Sequence, residues 1–574
     1  MIRTVVDKIA IPSPPECTSK AERRLATEDL LPVVPHKRQW TSFSYVNFWI
    51  ADSFNVNTFS IAATGLASGL SWWQTLISVV LGYSLAAPFL VANGRQGAFF
   101  HIRFPAVARS SFGIWGSYWL VFNRTVMSMI WFGVQAWIGG QCVSVFLSAI
   151  FPSYKRIPNG IPDSGTTTQA FLGFFIYWLL SLPTVWPPIE KARHLFTAKA
   201  IIAPIGGFTY LIWALVRSKG LGPLVHEAPK LRGTAAVFPL VQAMMSCMSN
   251  MATLVTNNPD IAANARRPSD AMLPQLITLP LGFTITSLMG ILIASSSQVV
   301  YGEVIWDPIE HLARFLDGSP SHAERFGVAV IAICFVYVQL ILNLSANSIG
   351  AGCDMTALFP KYINIRRGSF ICVISCLAWG PWRLMSSSNA FTSYLGAYSV
   401  FLSSFCGVML CDYYLIRKGR YRITDLYTNA PQGWYYYAKG FNIRAFIAYL
   451  IGIAPNMPGF INAVVTAGGD PAPISEVATK IYAFSWFTGV AVSMAVYYLL
   501  NLFWPAAGNR TKERFHEIDE SEYEEYGLAN SPKWTFNPSH VDERNGYDAE
   551  LEDSKKVVGG ETTAKVVDVP ELLA

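Results

Sequence analysis

Charge is scarce in this chain. Only 14% of its 574 residues are Asp, Glu, Lys or Arg, whereas 52% are hydrophobic and the mean hydropathy is +0.33. That balance is too apolar for a soluble multidomain enzyme and makes lipid the solvent. Cysteine and histidine inform by where they are missing. The nine cysteines (Cys17, Cys142, Cys247, Cys334, Cys353, Cys372, Cys376, Cys406, Cys411) form no CxxC pair and read as small apolar packing residues, with neither disulfide nor metal site expected. All eight histidines, from His36 and His101 to His516 and His540, fall in loops, span ends or tails, so no imidazole cluster sits inside an apolar stretch to bind zinc or move protons. A Walker-type glycine loop is absent, which argues against ATP-driven transport. No nucleophile, base and orienter can be assembled, so an enzyme is not expected. The formal charge of +6 implies no nucleic-acid partner, and no cofactor is expected.

What is present is a series of apolar runs. A helical crossing needs about 20 apolar residues, because each residue rises about 1.5 Å across a core of roughly 30 Å. Twelve stretches qualify: 46–68, 73–93, 117–149, 168–185, 197–216, 234–257, 273–299, 326–357, 369–388, 391–416, 443–464 and 481–504. Helices are expected throughout, since unpaired backbone cannot face lipid. The fold class is thus an all-α polytopic membrane protein with twelve transmembrane helices.

Two of these stretches carry polar interruptions. Asn47 to Leu66 sets Asp52, Asn55 and Asn57 among Trp49, Phe54, Phe59 and Ile61; Ser246 to Asp260 places amides, hydroxyls and Pro259 in the sixth. Each is expected to break its helix, and paired broken helices opening the two halves of a membrane region point to a transporter built from inverted repeats.

Basic loops stay cytoplasmic, and Arg95 to Arg109, Lys191 to Lys199, Arg266 with Arg267, Lys361 to Arg367, and Arg417 to Arg422 all lie on the side of the amino terminus. The seven-to-eight loop, with Glu303, Asp307, Glu310 and Asp317, is acidic and falls outside, while Arg217, Lys219, Lys230 and Arg232 run against the trend. Both termini are therefore expected in the cytosol of a plasma-membrane protein. Residues 1–44 form an amino-terminal tail without the apolar core of a cleavable signal, 45–504 the twelve-helix core, and 505–574 an acidic tail expected to be disordered. That tail is a solvated extension or a docking segment for a ubiquitin ligase or arrestin-type adaptor, with Lys512, Lys533, Lys555 and Lys556 as acceptors.

In the third stretch, Trp131 and Gln135 project from one helix face, a planar stacking surface beside a donor and acceptor amide. The pair suits a flat heterocycle, or else is ordinary packing plus a helix-to-helix hydrogen bond. Asn343 and Asn347 stand one turn apart in the eighth stretch, as ligand contacts or interhelical partners. Gly133, Gly139 and Gly140, like Gly350 and Gly352, suit close helix packing, and the last two also a local bend.

Asn47 to Thr58, Ala63 to Trp73, Asn250 to Asp260, Trp306-Asp-Pro308, Leu358 to Gly368 and Cys411 to Tyr421 together resemble the fungal uracil, uridine and allantoin permeases of the nucleobase-cation-symport-1 family, over essentially Asp29 to Trp504. The resemblance implies a LeuT-type fold of two inverted five-helix repeats plus two further helices. It also implies proton-coupled import of a nucleobase or related heterocycle such as uracil, allantoin or uric acid. Alternatives are a thiamine or nucleoside permease, a non-transporting nutrient receptor, or a passive facilitator. By the same resemblance the ring stacks on Trp131 and is hydrogen-bonded by Gln135 and Asn347; a second aromatic of some relatives aligns near Met251, leaving Asn250 as a polar contact. Ile341 and Leu342 stand where sodium-coupled relatives carry hydroxyls, and aliphatic side chains offer a hard cation no oxygen, so the proton is the expected coupling ion. Asp52 is its candidate carrier, or else a fixed ion-pair or helix-end partner. Asn55, Tyr398, Ser399, Asp260 and Asp354 complete the coupling and gating candidates. By the same resemblance Tyr398 and Ser399 belong to an outer gate, or else are an interface tyrosine and small-residue packing, and Asp260 and Asp354 lie nearer the cytoplasm, in gating or in ion pairs with Arg266 or Lys361.

Overall fold

In the computed structural model the described residues are 10–11, 22–27, 29–187, 189–226, 228–467, 475–517 and 522. Cys17, His540, Lys533, Lys555, Lys556 and nearly all of the acidic run beyond Glu517 lie outside them. Regular structure among the described residues is helical, with two isolated β-bridges.

The first apolar stretch is two helices, α1 (Ser42–Ser53) and α2 (Val56–Ala67). Then follow α3 (Trp72–Phe100), the short α4 (Phe104–Phe112), α5 (Ser117–Ile150), α6 (Thr168–Thr184), α7 (Ile189–Arg217), α8 (Thr234–Ala262) and α9 (Leu273–Tyr301). After a short loop helix, α10 (Pro308–Arg314), the eighth stretch is α11 (His322–Leu342), a π-helical turn at Asn343–Ser348, and α12 (Ile349–Leu358). The chain closes with α13 (Ile365–Ser375), α14 (Ser388–Leu410), α15 (Ile443–Ile453), α16 (Met457–Ala467), α17 (Glu476–Ala483) and α18 (Ser485–Phe503). Nine helical segments among the described residues are long and apolar enough to cross a membrane. Of the other three stretches, the first is two 12-residue pieces, the fourth a helix of 17 residues, and the ninth an 11-residue helix running into 3-10 turns.

The break in the first stretch falls where its asparagine demands. Asn55 is extended (φ −147°, ψ 161°) and caps α2 by accepting from Thr58 N at 2.9 Å, while its amide donates back to the Asp52 carbonyl. The expected break in the sixth stretch does not occur: α8 runs unbroken through Pro259. Pro259 has no N–H to give the Val255 carbonyl, but Asn93 of α3 donates to Val255 O and Thr256 O, each at 2.8 Å. A side chain from a neighbouring helix thus fills the gap in the ladder, and the helix continues. Irregular helical backbone in the second half lies instead at two π-helical turns, Asn343–Ser348, ahead of Gly350 and Gly352, and Cys411–Ile416 at the end of α14. Gly350 serves close packing, since a methyl group there would stand 2.2 Å from the Arg124 guanidinium.

Two helix groups emerge. The halves α1 and α2 pack with α9, and α3 packs with α8 and α9; α5 packs with α6, α11 and α12, and α12 with α13. Helix α7 touches α1, α9 and α11, bridging the two, and α14 packs on α8 and α18. Connecting loops sort onto two faces. On one, Trp40 and Ser42 contact Arg266 and Asp270, Arg109 bonds the carbonyls of Leu25 and Leu426, and Tyr427 donates to Leu30 O. Residues 505–517, placed in the tail by composition, run along this face, with Glu517 gripping Arg95 at 2.5 and 2.7 Å and Phe515 stacked on Tyr414. On the other face, Lys155 meets Asp317 and Arg217 meets Glu324 while lying over Phe315. Arg217, which ran against the charge trend, is thus ion-paired. His311 of α10 sits there as well, bonded to Tyr210 at 2.7 Å, its pKa lowered to about 4 by burial and then by Arg217.

Candidate functional site

Trp131 and Gln135 lie on the buried face of α5, only 5% exposed each. The aromatic neighbours of Trp131 come from α14, not α8: Tyr394 at 5.5 Å and Tyr398 edge-on at 6.0 Å. Tyr398 donates to Ser249 O at 2.6 Å, tying α14 to α8 over the indole. Met251 is buried at 1% exposure in the apolar core.

The amides of α5 face those of the eighth stretch. Gln135 Oε1 accepts from Gln339 Nε2 at 2.8 Å. Asn343 donates to the Phe132 carbonyl at 3.0 Å and accepts from Asn347 Nδ2 at 2.8 Å, the π turn stacking the two asparagines on one face. Among the described residues, the Gln135 amide nitrogen and the Asn347 amide oxygen form no hydrogen bond, and neither is sealed away from solvent. The structure therefore brings Trp131, Gln135 and Asn347 together and leaves one end of each amide available. Asn250 is more occupied. It donates to Tyr83 OH at 3.3 Å and accepts from Asn57 at 3.2 Å, joining α2, α3 and α8.

Other candidates are placed elsewhere. Ser399 bonds Gly396 O and Ser485, so it faces α18 rather than Trp131. Asn55 is a helix cap. Asp354 pairs with Arg124 at 2.8 Å, both at most 1% exposed, and not with Lys361. Asn257, oriented so that its oxygen accepts, takes a further Arg124 N–H at 2.9 Å. Asp260 accepts from Phe104 N at 2.8 Å, fastening α8 to the start of α4, and forms no ion pair with Arg266 among the described residues.

Asp52 is buried at the end of α1, and its Oδ1 has no hydrogen-bond partner. The charge that acts on it is Lys199 of α7, 1% exposed and also without a hydrogen-bond partner. Sequence reading had assigned Lys199 to a basic loop; the helix instead starts before it and carries it inward. Gln339 was missed as well, although it stands one turn before Asn343 on a helix already flagged for its amides. Arg124 stands inside the third stretch, and its partner lies 230 residues away.

An all-helical bundle with nine apolar segments of membrane-crossing length among the described residues, and an indole and amides buried between its helices, is the architecture of a polytopic membrane protein. The family model described as permease for cytosine/purines, uracil, thiamine, allantoin matches residues 32–489, and the chain belongs to that family. Among its relatives are three permeases of Saccharomyces cerevisiae. The allantoin permease is 43% identical (85% of this chain, 78% of that protein), the uridine permease 42% (88% and 81%) and the uracil permease 41% (84% and 76%). The fold is similar to that of Mhp1, a nucleobase-cation-symport-1 family transporter solved in a closed conformation with bromovinylhydantoin bound. Its TM-score is 0.67 at 21% identity, over 88% of this chain and 100% of that one.

Proposed function

We propose that this permease imports a flat, amide-bearing heterocycle of the uracil and allantoin type by proton symport. What carries the reading is the meeting of Trp131 with two amides, Gln135 and Asn347, each with one unpaired end. An indole face contributes stacking of about 1 kcal/mol, and a buried amide short of a partner rejects ligands that do not complete it. The names of the yeast relatives, and the hydantoin bound to Mhp1, support the same ligand class.

The chain crosses the membrane twelve times, the first ten helices as two inverted five-helix repeats and the last two added. The face bearing both described chain ends is cytosolic, in the plasma membrane, with the tails open to adaptor binding. A proton rides on Asp52, with Lys199 as the fixed countercharge; a buried acid and base that lack hydrogen bonds suit a site that changes charge each cycle. Access alternates: Tyr394 and Tyr398 cover the ring from α14, and release requires the Arg124–Asn257 contact, which joins the two groups beside the Arg124–Asp354 ion pair, to part.

Radiolabelled uracil and allantoin uptake in cells lacking their own permeases tests this. Accumulation against a gradient, abolished by a protonophore and lost in Gln135→Ala at unchanged surface abundance, is the expected result. Protonophore-insensitive equilibration would make the protein a facilitator, and no uptake of any ring by correctly placed protein would make it a receptor.

A further inference from the structure

Both amides of the ligand site have a neighbour that consumes one of their ends, and the two neighbours consume opposite ends. Asn343 cannot turn over, because its nitrogen is committed to the Phe132 carbonyl at 3.0 Å and the reversed amide would set oxygen against oxygen. Its oxygen must then take the Asn347 N–H, at 2.8 Å, which leaves Asn347 showing an oxygen. Gln339, fully buried, donates to Gln135 Oε1 at 2.8 Å and leaves Gln135 showing its N–H. The remaining oxygen of Gln339 is buried without a partner; with both amides turned over the same bond would form, but the Gln339 NH2 would then be the buried group left unpaired, the rarer arrangement, so the polarity seen is favoured.

Resting on the site reading above, we propose that Gln339 and Asn343 are positioning residues for the two ligand-facing amides: Asn343, anchored on the Phe132 carbonyl, fixes the polarity of Asn347, and Gln339 biases that of Gln135. The site then offers one N–H from Gln135 and one oxygen from Asn347, and selects rings presenting both a carbonyl and an N–H. Neither positioning residue touches the ligand. A free amide side chain rotates readily between its two faces, so without Gln339 or Asn343 each reading amide spends part of its time reversed, and discrimination falls before binding does.

Purified full-length protein and its binding of uracil test the proposal, alongside hydroxypyridinone analogues in which a ring N–H is replaced by C–H. For wild type, at least one such analogue binds about tenfold or more weakly than uracil. In Gln339→Leu the Kd for uracil rises about five- to tenfold, yet in a Gln135→Ala background the same change moves it less than about twofold, because Gln339 acts through Gln135. Asn343→Ala narrows the gap between uracil and the analogue, and adds nothing once Asn347 is Ala. Gln339→Met serves if the leucine variant unfolds. An equal loss in both backgrounds, or unchanged binding in Gln339→Leu and Gln339→Met alike, would overturn the proposal while leaving Gln135 as a contact. Failure of wild type to bind any ring of this class would remove the site reading and this inference with it.

Discussion

Helix α5 meets the eighth stretch at two depths, and the two meetings differ in kind. Near the start of α5, Arg124 and Asp354 are opposite charges that close on each other, with Asn257 taking a further guanidinium N–H and Gly350 making room for it. Two to three turns further on, Gln135 and Asn347 are neutral and each lacks a partner for one end. On the proposed function the charged contact is a latch and the neutral one a reader. Charge suits a latch because a buried ion is intolerable alone and so forces closure, whereas a reader must survive empty, which a neutral amide end open to solvent does without an ion's desolvation penalty.

The largest effect tests the latch. Arg124→Ala strands Asp354, fully buried, and is expected to cost about 3–5 kcal/mol in thermal unfolding. Removing Asp354 as well should restore most of it, and a double variant as unstable as the single would break the comparison. Asn347→Ala comes next. It should cost about 1 kcal/mol of stability but weaken binding roughly ten- to hundredfold, as a lost ligand hydrogen bond worth about 1.5–3 kcal/mol does. Asp52→Asn sharpens the contrast with a third kind of site, charged yet unlatched; binding should stay within about twofold while accumulation disappears, seen by comparing ligand-induced stabilisation with uptake. The smallest effect lies at His311. Because its folded pKa is lowered from 6.5 to about 4, stability is complete above pH 6.5, falls as pH drops towards 4 and changes no further below that. The loss should be about 1 kcal/mol at pH 5.5, followed by thermal unfolding across pH, and the slope should flatten in His311→Phe.

Much of this was legible in the chain. Scarce charge and repeated apolar runs dictate a helical bundle, Asn55 marks the first break, and Trp131 with Gln135 on a single helix face marks the candidate site that the structure buries beside Gln339 and Tyr394. The unbroken α8 was not legible, because the cost of Pro259 is met by Asn93, 166 residues earlier by sequence position. Lys199 sat at the edge of an apolar run and looked like a loop cation. Long-range partnerships of this sort leave no periodicity behind.

Asn93 has a mechanical consequence. Since it answers the Val255 carbonyl, which Pro259 leaves without its helix N–H, sliding the two helices by even one residue would orphan polar backbone in a dry environment. The second and sixth crossings are spliced at that point, and any rocking movement must carry them as a single lever.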